Sequence, residues 1–220
     1  MLRVEVEVFG LSDFDDDEYE SFDLDGTAAS GDTVPVAPSP AVVLEHDDDD
    51  DDDEDDDIED AADDEIDFVL AAYREDGQVL VQALSDDLAN DLEELIVQLR
   101  RLPGDNGAIG FVSLVEEVFV IVRVRGQHVQ VLLNDAGAAG DWPIAHDVAD
   151  LLGEDIPDPD DESEPMGDLN IVADLGMSDF DLGALIDNLD LGSDQMLIEV
   201  AAKINLNPQF QRVAETAFSS

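Results

Sequence analysis

From residue 66 onwards the apolar residues switch between a spacing of two, which suits strands, and a spacing of three or four, which suits helices. DFVLAAYRED (67–76) is an apolar and aromatic run, Asp76-Gly77 supplies a hairpin turn, and QVLVQAL (78–84) reads as the returning strand. Ser85 is placed to cap a helix whose apolar stripe is Leu88, Leu92, Leu95, Ile96 and Leu99. Arg100 and Arg101 close that helix where its dipole favours cations, and Pro103-Gly104 stops it. Three more strands follow, AIGFVSLVE (108–116), VFVIVRVR (118–125) and HVQVLLN (128–134), the last two joined at Gly126-Gln127. Alternation puts Val120, Val122 and Val124 on one face, as it does Val129, Val131 and Leu133. Arg123, Arg125, His128 and Gln130 point the other way. Asp141 is the expected cap of a helix with Pro143 in its first turn and Ile144, Val148, Leu151 and Leu152 as its stripe.

The order ββαβββα predicts an α+β domain over 66–153: an antiparallel five-stranded sheet with packed helices, in the order of roadblock or profilin-like domains. Element order alone carries no function. Residues 167–218 predict a second, all-α unit of four short helices. Asp168 can cap LNIVADL (169–175), which Gly176 ends, and Ser178 with Asp181 makes a capping box ahead of Leu182, Leu185, Ile186 and Leu189. Leu197, Val200, Ala201 and Ile204 repeat that spacing, and Asn207-Pro208 opens a last helix carrying Phe210, Val213, Ala214 and Ala217. Helices this short cannot each bury a stripe alone, so they must pack together or onto the first unit. Residues 154–166 read as an acidic linker between the two units.

Charge completes the outline. The 220 residues hold 59 acidic and 8 basic side chains, a net charge of −51. Residues 1–66 contain 28 acids and one base, Arg3, a net of −27, and the stretch 153–168 adds eight acids and no base, a net of −8. The two folded units carry only −10 (67–152) and −6 (169–220). Salt adaptation would spread its acids over folded surface, so this distribution argues against it. Asp47 to Asp57 is unbroken Asp apart from Glu54, and TVPVAPSPA (33–41) is a Pro-spaced stretch. Residues 1–65 are therefore expected to be a disordered acidic tail, since repulsion is strong there and apolar surface scarce. Leu2, Val4, Val6 and Val8 alternate as an edge strand could.

Several classes of chemistry are excluded. With no Cys there is no disulfide, thiolate metal site or Cys nucleophile. No apolar run approaches the ~18 residues of a membrane span, and MLRVEVEVFG lacks the apolar core of a secretory signal. The cytoplasm is the expected location, with no membrane partner. Direct nucleic-acid binding is disfavoured by the charge, and a helix-turn-helix reading of the C-terminal unit fails because Asp179, Asp181, Asp187, Asp190 and Asp194 would face phosphate. Ser21 to Asp32 approaches a calcium-loop pattern, but its twelfth position is Asp32 rather than Glu, its eighth is Ala28, and no amphipathic helix flanks it. His46, His128 and His146 are isolated imidazoles. Trp142 reads as a core anchor. Arg123 and Arg125, expected on the sheet's outer face, could bind an anion, or hold neighbouring acids or the tail itself. No glycine-rich phosphate loop or nucleophile elbow is present. The sequence thus nominates no catalytic, cofactor-binding or metal-binding residues.

Three segments carry a resemblance: GDLNIVADLGMSDFDLGALIDNLDLGSDQMLIEVAAKINLNPQF (167–210), NDAGAAGDWPIAHDVADLLG (134–153) and the opening DFVLAAYRED. Together they resemble the tRNA adenosine deaminase-associated proteins of actinobacteria, over roughly 66–218. The scarcity of Lys, Lys203 alone against seven Arg, fits a GC-rich genome. The resemblance implies association with the deaminase, inferred for the family from neighbouring genes, and brings no catalytic residues. The deaminase needs zinc on His and Cys ligands beside a Glu shuttle, which this chain lacks. The expected function is therefore a non-catalytic accessory protein whose partner is the tRNA adenosine deaminase or another basic RNA-binding protein. The alternative is an acidic nucleic-acid mimic, or competitive inhibitor, whose tail occupies a basic groove meant for RNA. Two open sheet edges would also permit a homodimer.

Overall fold

Apolar residues occupy both faces of the central strands, and both faces are covered. The structure is a computed structural model that describes residues 58–105, 107–158 and 164–218. Strands β1 (Ile66–Glu75), β2 (Gln78–Ala83), β3 (Ala108–Leu114), β4 (Val118–Arg125), β5 (His128–Leu133) and β6 (Met166–Gly167) form one antiparallel sheet in the order β2-β1-β3-β4-β5-β6. Helices α1 (Leu92–Arg101) and α2 (Pro143–Leu152) lie on one face. Helices α3 (Asp179–Ile186), α4 (Ser193–Lys203) and α5 (Gln209–Ala217) lie on the other. The predicted tail as far as residue 57, the alternation at Leu2–Val8, the calcium-like loop, His46 and the Asp47–Asp57 run lie outside the described residues.

Strand alternation explains the two cores. Val69, Ala71, Val112, Val120, Val122 and Val131 face α1 and α2. Their neighbours Phe68, Leu70, Phe111, Phe119, Ile121 and Leu132 face the C-terminal helices, where Phe210 of α5 meets Phe111 and Phe68 edge-on at centroid separations of 4.9 and 6.0 Å. The C-terminal helices thus take the second of the two arrangements open to them and pack onto the sheet. Gly110 of β3 fits beneath α1, where a Cβ would stand 3.0 Å from a Leu99 methyl.

Several local expectations are corrected. The sheet has six strands rather than five, because Met166–Gly167 pairs with Leu132–Leu133. Two residues are too short to show alternation, which hid β6 within the linker's end. Leu88 and Ala89 belong to a 3₁₀ turn, Asp86–Ala89, and α1 starts at Leu92, capped by Asp91 accepting from Glu94 N–H at 2.7 Å. Ser85 makes no side-chain cap bond. Trp142, not Asp141, is the residue preceding α2, and Asp135 caps the intervening 3₁₀ turn Ala136–Gly140. The first of the four expected C-terminal helices is only a 3₁₀ turn, Ala173–Leu175, ended by left-handed Gly176. Residues 58–65 pack against the domain: Ala61 is buried, and its backbone exchanges two hydrogen bonds with the Asn90 side chain, at 2.8 and 3.1 Å.

Candidate functional site

With both faces of the sheet occupied, charge collects at its two ends. The end formed by the last residues of β1 and β4 and the first of β3 and β5 also receives the last turn of α1. Arg74, Arg100, Arg101, Arg123 and Arg125 gather there, five of the seven basic residues among those described. A groove of about 720 Å³ opens between Arg100, Gly104, Gly107, Arg125 and Asp174.

Arg123 is not on an outer face. Its side chain is 5% exposed, and its guanidinium donates to both carboxylate oxygens of Asp174 and to Ile171 C=O at 2.7 Å. Phe119 and Ile121 share its face of β4, so the strand was apolar on both sides, and that pattern is the signal for a covered strand. Asp174, half-exposed, is held below the usual carboxylate range chiefly by the Arg123 hydrogen bonds. Arg125 stays partly exposed, 3.8 Å from Asp174 and bonded to Gln130 Oε1 at 2.6 Å. The anion these arginines could hold is thus already supplied by the neighbouring acid in the case of Arg123. His128 is exposed at the start of β5, and His146 sits 3.9 Å from Asp150. Trp142 packs partly buried against the core beneath α2.

The opposite end is acidic. There β3 turns into β4 through Val115-Glu116, both at positive φ (47° and 56°), a conformation a β-branched residue rarely adopts. The turn is pinned from below. Asp67 accepts from Glu116 N–H and from Ser113 O–H, each at 2.8 Å. Ser113 and Ser193 share a hydrogen bond of 2.7 Å, and Glu116 C=O accepts from Ser193 N–H at 2.8 Å, locking the start of α4 to the sheet. Partial burial raises the Asp67 carboxyl above its ordinary value; its two donors oppose the rise and Asp194 adds to it. Sequence reasoning missed this cluster because Asp67, Ser113 and Ser193 lie far apart in the chain and match no motif.

Beside this turn is a groove of about 730 Å³. Val115, Ile186, Leu189, Leu191 and Met196 give it an apolar lining, and Leu189 is 94% exposed. Glu116, Glu117, Asp135, Asp187 and Asp190 add carboxylates, and no Lys, Arg or His lines it. Among the described residues no group of three or more His, Cys, Asp or Glu is arranged to hold a metal ion, and no helix is long and apolar enough to cross a membrane.

Comparison with known proteins gives this geometry its context. Residues 67–207 match the model of a family described as Rv3753c-like tRNA adenosine deaminase-associated protein. The chain is 32% identical over 159 residues to protein Rv3753c of Mycobacterium tuberculosis (strain ATCC 25618 / H37Rv), an alignment covering 70% of this chain and 91% of that one. No solved structure matches it. The family match spans β1 to the end of α4, the sheet together with most of both helical layers, and on that basis the chain belongs to the Rv3753c-like tRNA adenosine deaminase-associated protein family.

Proposed function

We propose that this protein is a non-catalytic accessory partner of the tRNA adenosine deaminase, binding the enzyme rather than its RNA. The observation that supports this reading is the use of both sheet faces for packing, which leaves the charged ends of the sheet, its edges and the outer faces of the helices as the surfaces available to a partner. A family named for its association with the deaminase supports that enzyme as the partner. The chain's lack of Cys keeps it from supplying the thiolate zinc ligands of that chemistry. An enzyme that binds tRNA carries a basic surface, and a chain of net charge −51 is attracted to such a surface, chiefly through a faster association. Pull-down of the native protein from cells with identification of bound proteins by mass spectrometry tests this. Recovery of the deaminase in a salt-sensitive complex is expected; its absence from preparations made at low salt would overturn the reading.

The run from Asp47 to Asp57 favours a second reading, competition with RNA for the enzyme's basic groove. Replacing the acids of that run by Asn and Ser separates the two. A competitor loses its inhibition of deamination, whereas an accessory protein that binds through its folded domain keeps its affinity apart from a salt-dependent contribution. A homodimer through the open edge of β2, which carries no charged residue from Gln78 to Ala83, is compatible with either reading.

A further inference from the structure

We propose that the groove at the acidic end of the sheet, between the β3–β4 turn and the Ile186–Gly192 segment, is a docking site for a basic amphipathic peptide segment of a protein partner. This rests on the accessory-protein reading and specifies which surface does the work and what it recognises. Charge complementarity over an apolar floor selects that occupant. Leu189 projects almost wholly into solvent beside half-buried Ile186 and Leu191, so apolar surface is already exposed there and would be removed from water by an occupant. Four carboxylates, those of Glu116, Glu117, Asp187 and Asp190, surround that surface without a basic residue among the lining groups. An acidic or neutral segment would lose the solvation of those carboxylates and gain no charge partner, whereas Lys or Arg flanking an apolar anchor would supply one. Nucleic acid is repelled by the same carboxylates.

The groove is also held in shape before any partner arrives. Val115 and Glu116 keep their left-handed conformations because Asp67 fixes the turn from β1 and Ser193 fixes it from α4. Strain persists where surrounding structure over-determines it, and such places gather at binding surfaces. The opposite end offers no equivalent: its groove mixes Arg100 and Arg125 with Asp105 and Asp174, and its most buried cation already has a partner.

The test is a titration of the full chain with a synthetic helical peptide of Lys and Leu, followed by two-dimensional amide NMR. A peptide with Ser in place of Leu and one with Glu in place of Lys serve as the comparisons. The expected result is saturable binding of the Lys–Leu peptide alone, with shifts concentrated at Val115–Glu117 and Ile186–Gly192. Leu189→Ser and the double variant Asp187→Lys, Asp190→Lys should each weaken it about tenfold or more, while Asp179→Lys with Asp181→Lys, the same charge change on α3, should not. Shifts confined to residues 1–57, equal binding of the Lys–Ser peptide, or indifference to the groove variants would overturn the proposal. So would self-association of the free protein through this groove, seen by sedimentation. Recovery of the deaminase from cells is a separate readout, so loss of the groove and loss of the accessory role are distinguishable results.

Discussion

Arg123 on β4 and Asp174 in the 3₁₀ turn after β6 form a two-pronged ion pair that ties the C-terminal helical layer to the sheet. The arginine is buried and also serves Ile171 C=O, so the carboxylate partners a charge that has little access to water. Asp174→Asn keeps one acceptor oxygen and removes the charge. The expected cost is about 1–2 kcal/mol at neutral pH, less than a fully buried pair would lose because solvent reaches the acid. The sign with pH follows from the lowered Asp174 carboxyl. Its stabilisation is complete above the ordinary value of 3.8 and disappears as pH falls through its lower folded value. Denaturant unfolding of the two proteins from neutral to acid pH should show their stabilities converging at the acid end.

Asp67 has the opposite sign. Its carboxyl is raised in the folded state, mainly by burial, so its contribution is present below 3.8 and is lost as pH rises through the folded value. Both of its hydrogen bonds reach one oxygen, which Asn can also present. Asp67→Asn should therefore hold or raise the thermal midpoint at neutral pH, most visibly above the carboxylate range. Ser113→Ala, by contrast, strips the link to both Asp67 and Ser193 and should cost about 1–3 kcal/mol in the same melting experiment.

Phe210→Ala tests whether the C-terminal layer belongs to the fold of the sheet. Phe210 is fully buried against Phe68 of β1 and Phe111 of β3. Truncating it should cost about 3–5 kcal/mol, and far-UV and near-UV dichroism should still follow one shared transition. Separate transitions for helices and sheet would contradict a shared core.

Gly107 precedes β3 at φ +85°, and a Cβ there would lie 1.9 Å from Val124 C=O. Gly107→Ala meets both a strained backbone and an immovable carbonyl, so a loss of about 2 kcal/mol or more is expected. Gly77, at φ +77° with open space around it, should lose less on the same substitution, about 1 kcal/mol, because strain acts there without a clash. Chemical denaturation of the two variants side by side checks the ranking.

Short-range signals made much of the sheet readable. Asp76-Gly77 specified a turn in which both residues need positive φ, and the structure has them at 51° and 77°. Ser178 caps the helix that its spacing implied, with Asp181 N–H donating to Ser178 Oγ at 3.2 Å and the Ser178 hydroxyl donating to the Asp181 carboxylate at 3.0 Å. Long-range relations were hidden. The charge of Arg123 suggests an outward face, but Phe119 and Ile121 share that face, and the partner that neutralises it lies 51 residues away. The β3–β4 turn has Val115-Glu116 where glycine or asparagine would have announced it, and Asp67 and Ser193 hold it from distant parts of the chain. The acidic groove likewise joins the β3–β4 turn to residues 186–196, so no single window of sequence contains it.

We propose that this chain acts by binding the deaminase. The most direct measurement is isothermal titration of the purified full chain into the tRNA adenosine deaminase of the same organism over a series of salt concentrations. A complex of fixed stoichiometry whose affinity falls as salt rises is the predicted result. No heat of binding at the lowest salt concentration, with both proteins folded, would contradict it.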